Sequence, residues 1–301
     1  MSRLSLYEEV TRRIMSELEA GRYPWAQAWG KAGASGPGLP RNAVTSARYS
    51  GINVLLLWDA AITHGFAAQS WLTFKQALAA GGSVRKGERG TTIVFADRFT
   101  PEAERQKALE TGEDARAVPF LKRYTVFNVA QCENLRGVGQ VNDVRLPERD
   151  LIPHAQKLIS ATGADVRIGG DQACYVPSAD YIQVPPQPAF SDQINYYRTC
   201  FHELSHWTGH ASRLNRDQSG RFGTTEYGRE ELCAEMGSAF VCAALGITPT
   251  VRHADYLGAW LDILREDNRA IFRAASQASK AADFILAFGP DAPASLTEVA
   301  A

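Results

Sequence analysis

His202, Glu203 and His206 stand in the order His-Glu-x-x-His, inside the decapeptide FHELSHWTGH at 201–210. Two histidines four residues apart on an α-helix rise about 6 Å and point the same way, so both imidazoles can approach one ion. The residue after the first histidine is turned about 100° around the helix, which sets Glu203 beside that ion rather than on it. A carboxylate placed there can take the proton of an attacking water and return it to a leaving amine. Phe201, Leu204, Ser205, Trp207 and Thr208 around the motif are uncharged, as a helix buried beneath a cleft requires. The chemistry predicted is metal-assisted hydrolysis, with Glu203 as the general base.

A reactive site of this kind needs a third protein donor and an open position. His210 extends the histidine series, but on a continuous helix it lies about 12 Å beyond His202 and reaches the ion only if the helix breaks at Gly209. The metzincin spacing would require a histidine at 212; that residue is Ser212, so the pattern is excluded. REELCAEM at 229–236 offers Glu231 and Glu235 on one helical stripe. Either Glu231 or Glu235 could be the third ligand, with the other holding a histidine from behind. Two imidazoles and a carboxylate point to one divalent ion, Zn²⁺ first, with Mn²⁺ or another divalent ion able to replace it.

The first 136 residues hold no such constellation. They interleave aromatic and basic side chains instead, a combination that holds single-stranded nucleic acid by stacking bases on rings while Lys and Arg follow the phosphates. Aromatics also fill cores, so composition alone leaves both readings open. Charge supports two modules: residues 1–136 carry 18 Lys+Arg against 13 Asp+Glu, and residues 137–301 carry 14 against 20.

These residues must be positioned by a globular scaffold, and 45% apolar content in 301 residues is enough to build one. Five cysteines at 132, 174, 200, 233 and 242 form no CxxC pair, which argues against a disulfide framework or a cysteine metal site. The spacing of Leu6, Val10, Ile14 and Leu18 predicts an amphipathic helix rather than a signal peptide, and no apolar run is long enough to span a bilayer. A soluble, cytoplasmic protein is expected. NVLLLWDAAITHGF reads as a helix, SWLTFKQALAAG as another capped by Ser70, and SVRKGERGTTIVFADRF as strand, turn, strand. The segment at 137–150 lacks periodicity and reads as a linker between domains 1–136 and 151–301. CYVPSADYIQVPP contains one or two strands, with DYIQVPP either an edge strand for an extended peptide or a plain core strand, and the remainder is dominated by long helices. The fold class expected is α+β.

Several blocks carry a family resemblance. PRNAVTSARYSGINVLLL, SWLTFKQALAAGGSVRKGERGTTIVF and YTVFNVAQCENL resemble the N-terminal domain of ArdC-type plasmid antirestriction proteins. CYVPSADYIQVPP, FHELSHWTGHASRLNR and YGREELCAEM resemble the zincin-like metallopeptidase domain that follows it in that family. Within the last block, Glu231-x-x-Ala234 is similar to the signature on the second helix of gluzincins, which implies Glu231 as the third ligand and Glu235 behind a histidine. The resemblance implies two domains: a mixed α/β domain that binds single-stranded DNA, and a mainly helical, gluzincin-type domain. It implies protection of incoming plasmid DNA from host restriction during conjugation, with a restriction-system protein of the host as a candidate peptidase target. By family position, Trp25, Trp29, Arg41, Asn42, Tyr49, Lys75 and Lys86 are the expected DNA contacts. The rival expectations are a conventional zinc endopeptidase whose N-terminal domain recognises protein, and a DNA-occluding protein whose metal is purely structural.

Overall fold

The computed structural model describes residues 4–26, 38–99, 104, 118–138, 148–251 and 254–289. Trp29, nearly all of the 101–117 insertion and most of the 137–150 connection lie outside the described residues. The expected α+β class is observed, with eight α-helices and three sheets among the described residues.

The first helix, α1 (Leu6–Glu19), begins at Ser5, whose side chain and that of Glu8 cap each other's backbone N–H groups. Its buried stripe is Val10, Thr11, Ile14 and Leu18, the face expected from the four-residue spacing. Helix α2 (Ile52–His64) is apolar nearly all round and ends at Gly65, whose φ of 66° gives the left-handed cap that glycine accepts without strain. Between and after these run the strands β1 (Arg41–Asn42), β2 (Ser70–Leu72), β4 (Thr91–Phe99) and β5 (Val118–Asn128), in the sheet order β1-β2-β5-β4. The short β3 (Ser83–Val84) and β6 (Cys132–Glu133) pair separately. Ser70 is therefore not a helix cap. It lies in a buried strand, and α3 (Phe74–Ala79) is capped three residues later by Thr73, which forms a capping box with Gln76.

In the second half, α4 (Glu148–Ala161) leads into β7 (Asp165–Ile168), β8 (Cys174–Val176) and β9 (Tyr181–Val184), and then to α5 (Gln193–Trp207) and α6 (Thr225–Ala244). Helices α7 (Leu257–Glu266) and α8 (Ala270–Leu286) follow. The sheet order is β7-β9-β8, so DYIQVPP supplies the central strand and not the edge. Ile182 and Val184 point from one face of β9 into the core, while β7 and β8 pair with its two backbone edges. The edge beside α5 is β8 instead. Arg213 fixes it there: its guanidinium pairs with Asp180, lies 3.3 Å from the Tyr175 hydroxyl and stacks 4.0 Å from the Trp207 ring at the end of α5.

One core runs through both halves. Trp58 of α2 meets Phe240 of α6 edge to face at 5.5 Å, and Trp25 meets Trp260 of α7 at 5.7 Å. Thr11 donates to the Asn268 carbonyl at 2.7 Å, and the Gly51 N–H donates to Ser279 at 2.8 Å. Helices α1 and α2 thus cover the apolar backs of α6, α7 and α8.

Candidate metal centre

Helices α5 and α6 cross closely because Gly237 of α6 faces Ser205 of α5; a Cβ there would lie 2.8 Å from the Ser205 hydroxyl. The crossing brings the first turns of α6 against the last turns of α5. His202 Nε2 and His206 Nε2 lie 3.2 Å apart. Glu231 places Oε2 3.4 Å from the first and Oε1 3.5 Å from the second. An ion bound tetrahedrally at 2.0–2.1 Å would hold neighbouring donors about 3.4 Å apart, and each imidazole stands at about that distance from the other and from one oxygen of Glu231. The donor set therefore fits a divalent ion in spacing as well as in chemistry. It is the one group of three such side chains brought together among the described residues.

His210 is not in it. Helix α5 does end before Gly209, but His210 Nδ1 turns to the Ser212 hydroxyl at 2.8 Å. Glu235 is buried one turn beyond Glu231, outside the three-donor group. The carboxylate behind His206 is Glu230, whose Oε1 stands 3.2 Å from Nδ1. A proton on Nδ1 donated to that carboxylate orients the ring, with Nε2 turned toward Glu231. Glu230 is itself held by Arg216, which donates at 2.7 and 3.0 Å, and by Gln218 at 3.2 Å. Arg216 also donates to the Ser205 carbonyl and the Thr208 hydroxyl, so the loop after α5 is tied to the helix end.

Electrostatics follow from this packing. Burial opposes the imidazolium form of His206, yet hydrogen bonds and charge from Glu230 and Glu231 outweigh it and hold the pKa well above the usual histidine range. Burial likewise opposes the Glu231 carboxylate, but the two histidines overcome it and keep that carboxyl well below its ordinary value. Glu203 is buried on the cleft side and makes no hydrogen bond or ion pair with the described residues, so its carboxylate is uncommitted. The cleft has a volume of about 260 Å³; besides the donors and Glu203 it is lined by Cys174, Tyr175, Pro177, Gln218, Gly220 and Tyr227.

The residues expected at DNA separate into three groups. Trp25 is fully buried against Trp260, so its ring is core and offers no face to a base. Tyr49 is half-buried against the Trp71 cluster, and burial raises its phenol pKa. Asn42 spends its amide on the Val44 and Thr45 N–H groups and on Gln76, so it shapes the loop after β1, while Arg41 pairs in β1. Lys75 and Lys86 are exposed. Beside Lys75 the sequence reading missed two half-exposed apolar side chains, Phe74 at 51% and Leu78 at 53%, with Phe74 edge-on to Phe127 at 6.4 Å. Their four-residue spacing on α3 was the available signal. A second exposed pair, Phe95 and Tyr124, crosses β4 and β5.

The chain is similar to known proteins over almost its whole length. Residues 5–127 match the N-terminal domain of anti-restriction factor ArdC, and residues 153–277 match a zincin-like metallopeptidase domain. The protein y4eC of Sinorhizobium fredii is 41% identical over 292 residues, covering 95% of this chain and 93% of its own. DNA primase TraC of Escherichia coli is 38% identical over 295 residues, but the chain spans only 27% of that protein. Among solved structures, the antirestriction protein ArdC of plasmid R388 in metal-free form superposes with a TM-score of 0.79 at 36% identity, covering 96% of this chain and all of that one. Its Mn(II)-bound form gives 0.76. Identity at this level along both chains, with a match in each half, goes beyond a shared fold: the chain belongs to the ArdC antirestriction family.

Proposed function

We propose that this family member combines single-stranded DNA binding in its N-terminal half (1–136) with a divalent-metal peptidase centre in its C-terminal half (151–301), and that it protects incoming plasmid DNA from host restriction during conjugation. The observation that carries the reading is the convergence of His202, His206 and Glu231 at an open cleft beside an uncommitted Glu203. The three donors would hold the ion, Zn²⁺ or Mn²⁺, and the Mn(II)-bound R388 relative supports a divalent ion. A bound divalent ion would supply Lewis-acid polarisation of a carbonyl and of water. Glu203 would accept the water proton and pass it to the leaving nitrogen, while Glu230 and Arg216 hold His206 in register. The free edge of β8 would pair with an extended stretch of substrate, a protein of the restricting host. On the N-terminal half, the ring of Phe74 beside Phe127 and Lys75 supports base stacking next to phosphate contact.

The decisive experiment is transfer of unmodified plasmid DNA into a restricting recipient, comparing wild type with Glu203→Gln. Hydrolysis predicts that protection collapses while metal content and single-strand affinity are kept. Protection that persists in Glu203→Gln would sink the peptidase half of the proposal and leave DNA occlusion as the mechanism.

A further inference from the structure

Tyr227, in the lining of the cleft, belongs to a cluster of rings that reaches the surface. The loop after α5 meets the first turn of α6 at Gly220, where a Cβ would lie 2.4 Å from the Tyr227 backbone nitrogen, so only glycine lets the two backbones touch. The next residues form a turn in which the Thr224 N–H donates to the Arg221 carbonyl at 2.9 Å, with Gly223 at φ +85°. This turn holds Phe222 outward at 81% exposure, the highest of any large apolar side chain among the described residues. The ring is nonetheless supported. Its centroid lies 5.6 Å from that of Tyr227 and 6.2 Å from that of Tyr256, and Tyr256 rests on the buried Trp260 at 6.2 Å. Tyr227 lines the same cleft as His202, Glu203 and Glu231.

We infer that Phe222, with Tyr227 and Tyr256, forms the subsite that selects a peptide by a large apolar or aromatic side chain beside the scissile bond. The inference rests on the peptidase reading above. A strand added at the edge of β8 points alternate side chains away from that strand's own plane, and β8 residues line the same cleft as Tyr227. Rings already stacked on the core lose little freedom on accepting a further ring or branched chain, so burial there is retained as affinity. The polar remainder of the cleft narrows the choice further. Glu226 in the same lining would repel an acidic side chain.

The test uses the full chain loaded with Zn²⁺ or Mn²⁺ and short peptide hydroxamates, whose chelating end anchors on the metal without being cleaved. The probes differ only in the side chain next to the hydroxamate: Phe, Leu, Ala or Asp. Titration calorimetry on wild type should show Phe and Leu binding roughly tenfold tighter than Ala, the yield of burying most of one such side chain. Phe222→Ala should reduce that preference to within about threefold at unchanged metal content, since so exposed a side chain adds little to folding. Phe222→Trp should keep it. Equal binding of Phe and Ala by wild type, or a preference that survives in Phe222→Ala, overturns the subsite and leaves the peptidase reading standing. If no hydroxamate binds the loaded protein, the open metal centre itself is refuted and the subsite with it.

Discussion

Glu230 and Glu231 are neighbours in the chain and take different positions because a helix turns about 100° per residue. One faces the two Nε2 atoms and the other stands behind His206. Replacing the carboxylate behind a metal-binding histidine weakens metal affinity about 10–100-fold, and Glu230→Gln should do so in competition with a chelating dye. Glu231→Gln should weaken it much further. Arg216 is a different matter. Its side chain is 4% exposed, and its loss leaves Glu230 charged and buried. Arg216→Ala should therefore cost about 3–5 kcal/mol of stability, read as a lowered urea midpoint. An unchanged midpoint would mean that Glu230 finds another partner. The His-Glu-x-x-His core of this site was legible in sequence, because four-residue spacing on one helix is local geometry. The role of Glu230 was not, since it depends on a loop residue 14 positions earlier folding back over the helix end. Trp25 shows the same limit: a tryptophan reads alike in a core and on a binding face until its neighbours are known.

At the scale of elements, the capping box at Thr73 sets where α3 begins and hence which side chains it turns to solvent. Phe74, Lys75 and Leu78 are the result. If this face takes single strands, Phe74→Ala should weaken binding by about 1–3 kcal/mol, and Lys75→Ala should make the slope of log K against log salt shallower by about 0.7. Fluorescence anisotropy of a labelled oligonucleotide at several salt concentrations checks both, and a slope unmoved by Lys75→Ala would exclude that lysine from the phosphate path. The strands around the metal cleft carry the matching lesson. Alternation in DYIQVPP correctly marks a strand with one buried face, but a central and an edge strand can alternate identically. Only pairing shows that β8, with the weaker pattern, is an edge strand among the described residues.

At the scale of the molecule, charge and composition pointed to two modules, and the family matches do fall on two stretches. The packing is less divided. Trp25 and Trp58 from the first half sit fully buried among residues of the second, and α1 lies on α7 and α8. Residues 151–301 expressed alone should therefore expose the faces that α1 and α2 now cover, and such a fragment should bind a hydrophobic dye and aggregate where the full chain does not. A monodisperse, cooperatively melting fragment would show that the shared core is dispensable.

This shared core bears on inheritance. A recombination event that separated the halves would leave each with an open apolar flank, so the pair should be passed on together. The alignment with TraC covers 94% of this chain yet only 27% of that primase, as expected if fusion has captured the whole unit as a single cassette. Shuffled genes carrying one half without the other should then be found only where new side chains have closed the gap left by Trp25 and Trp58.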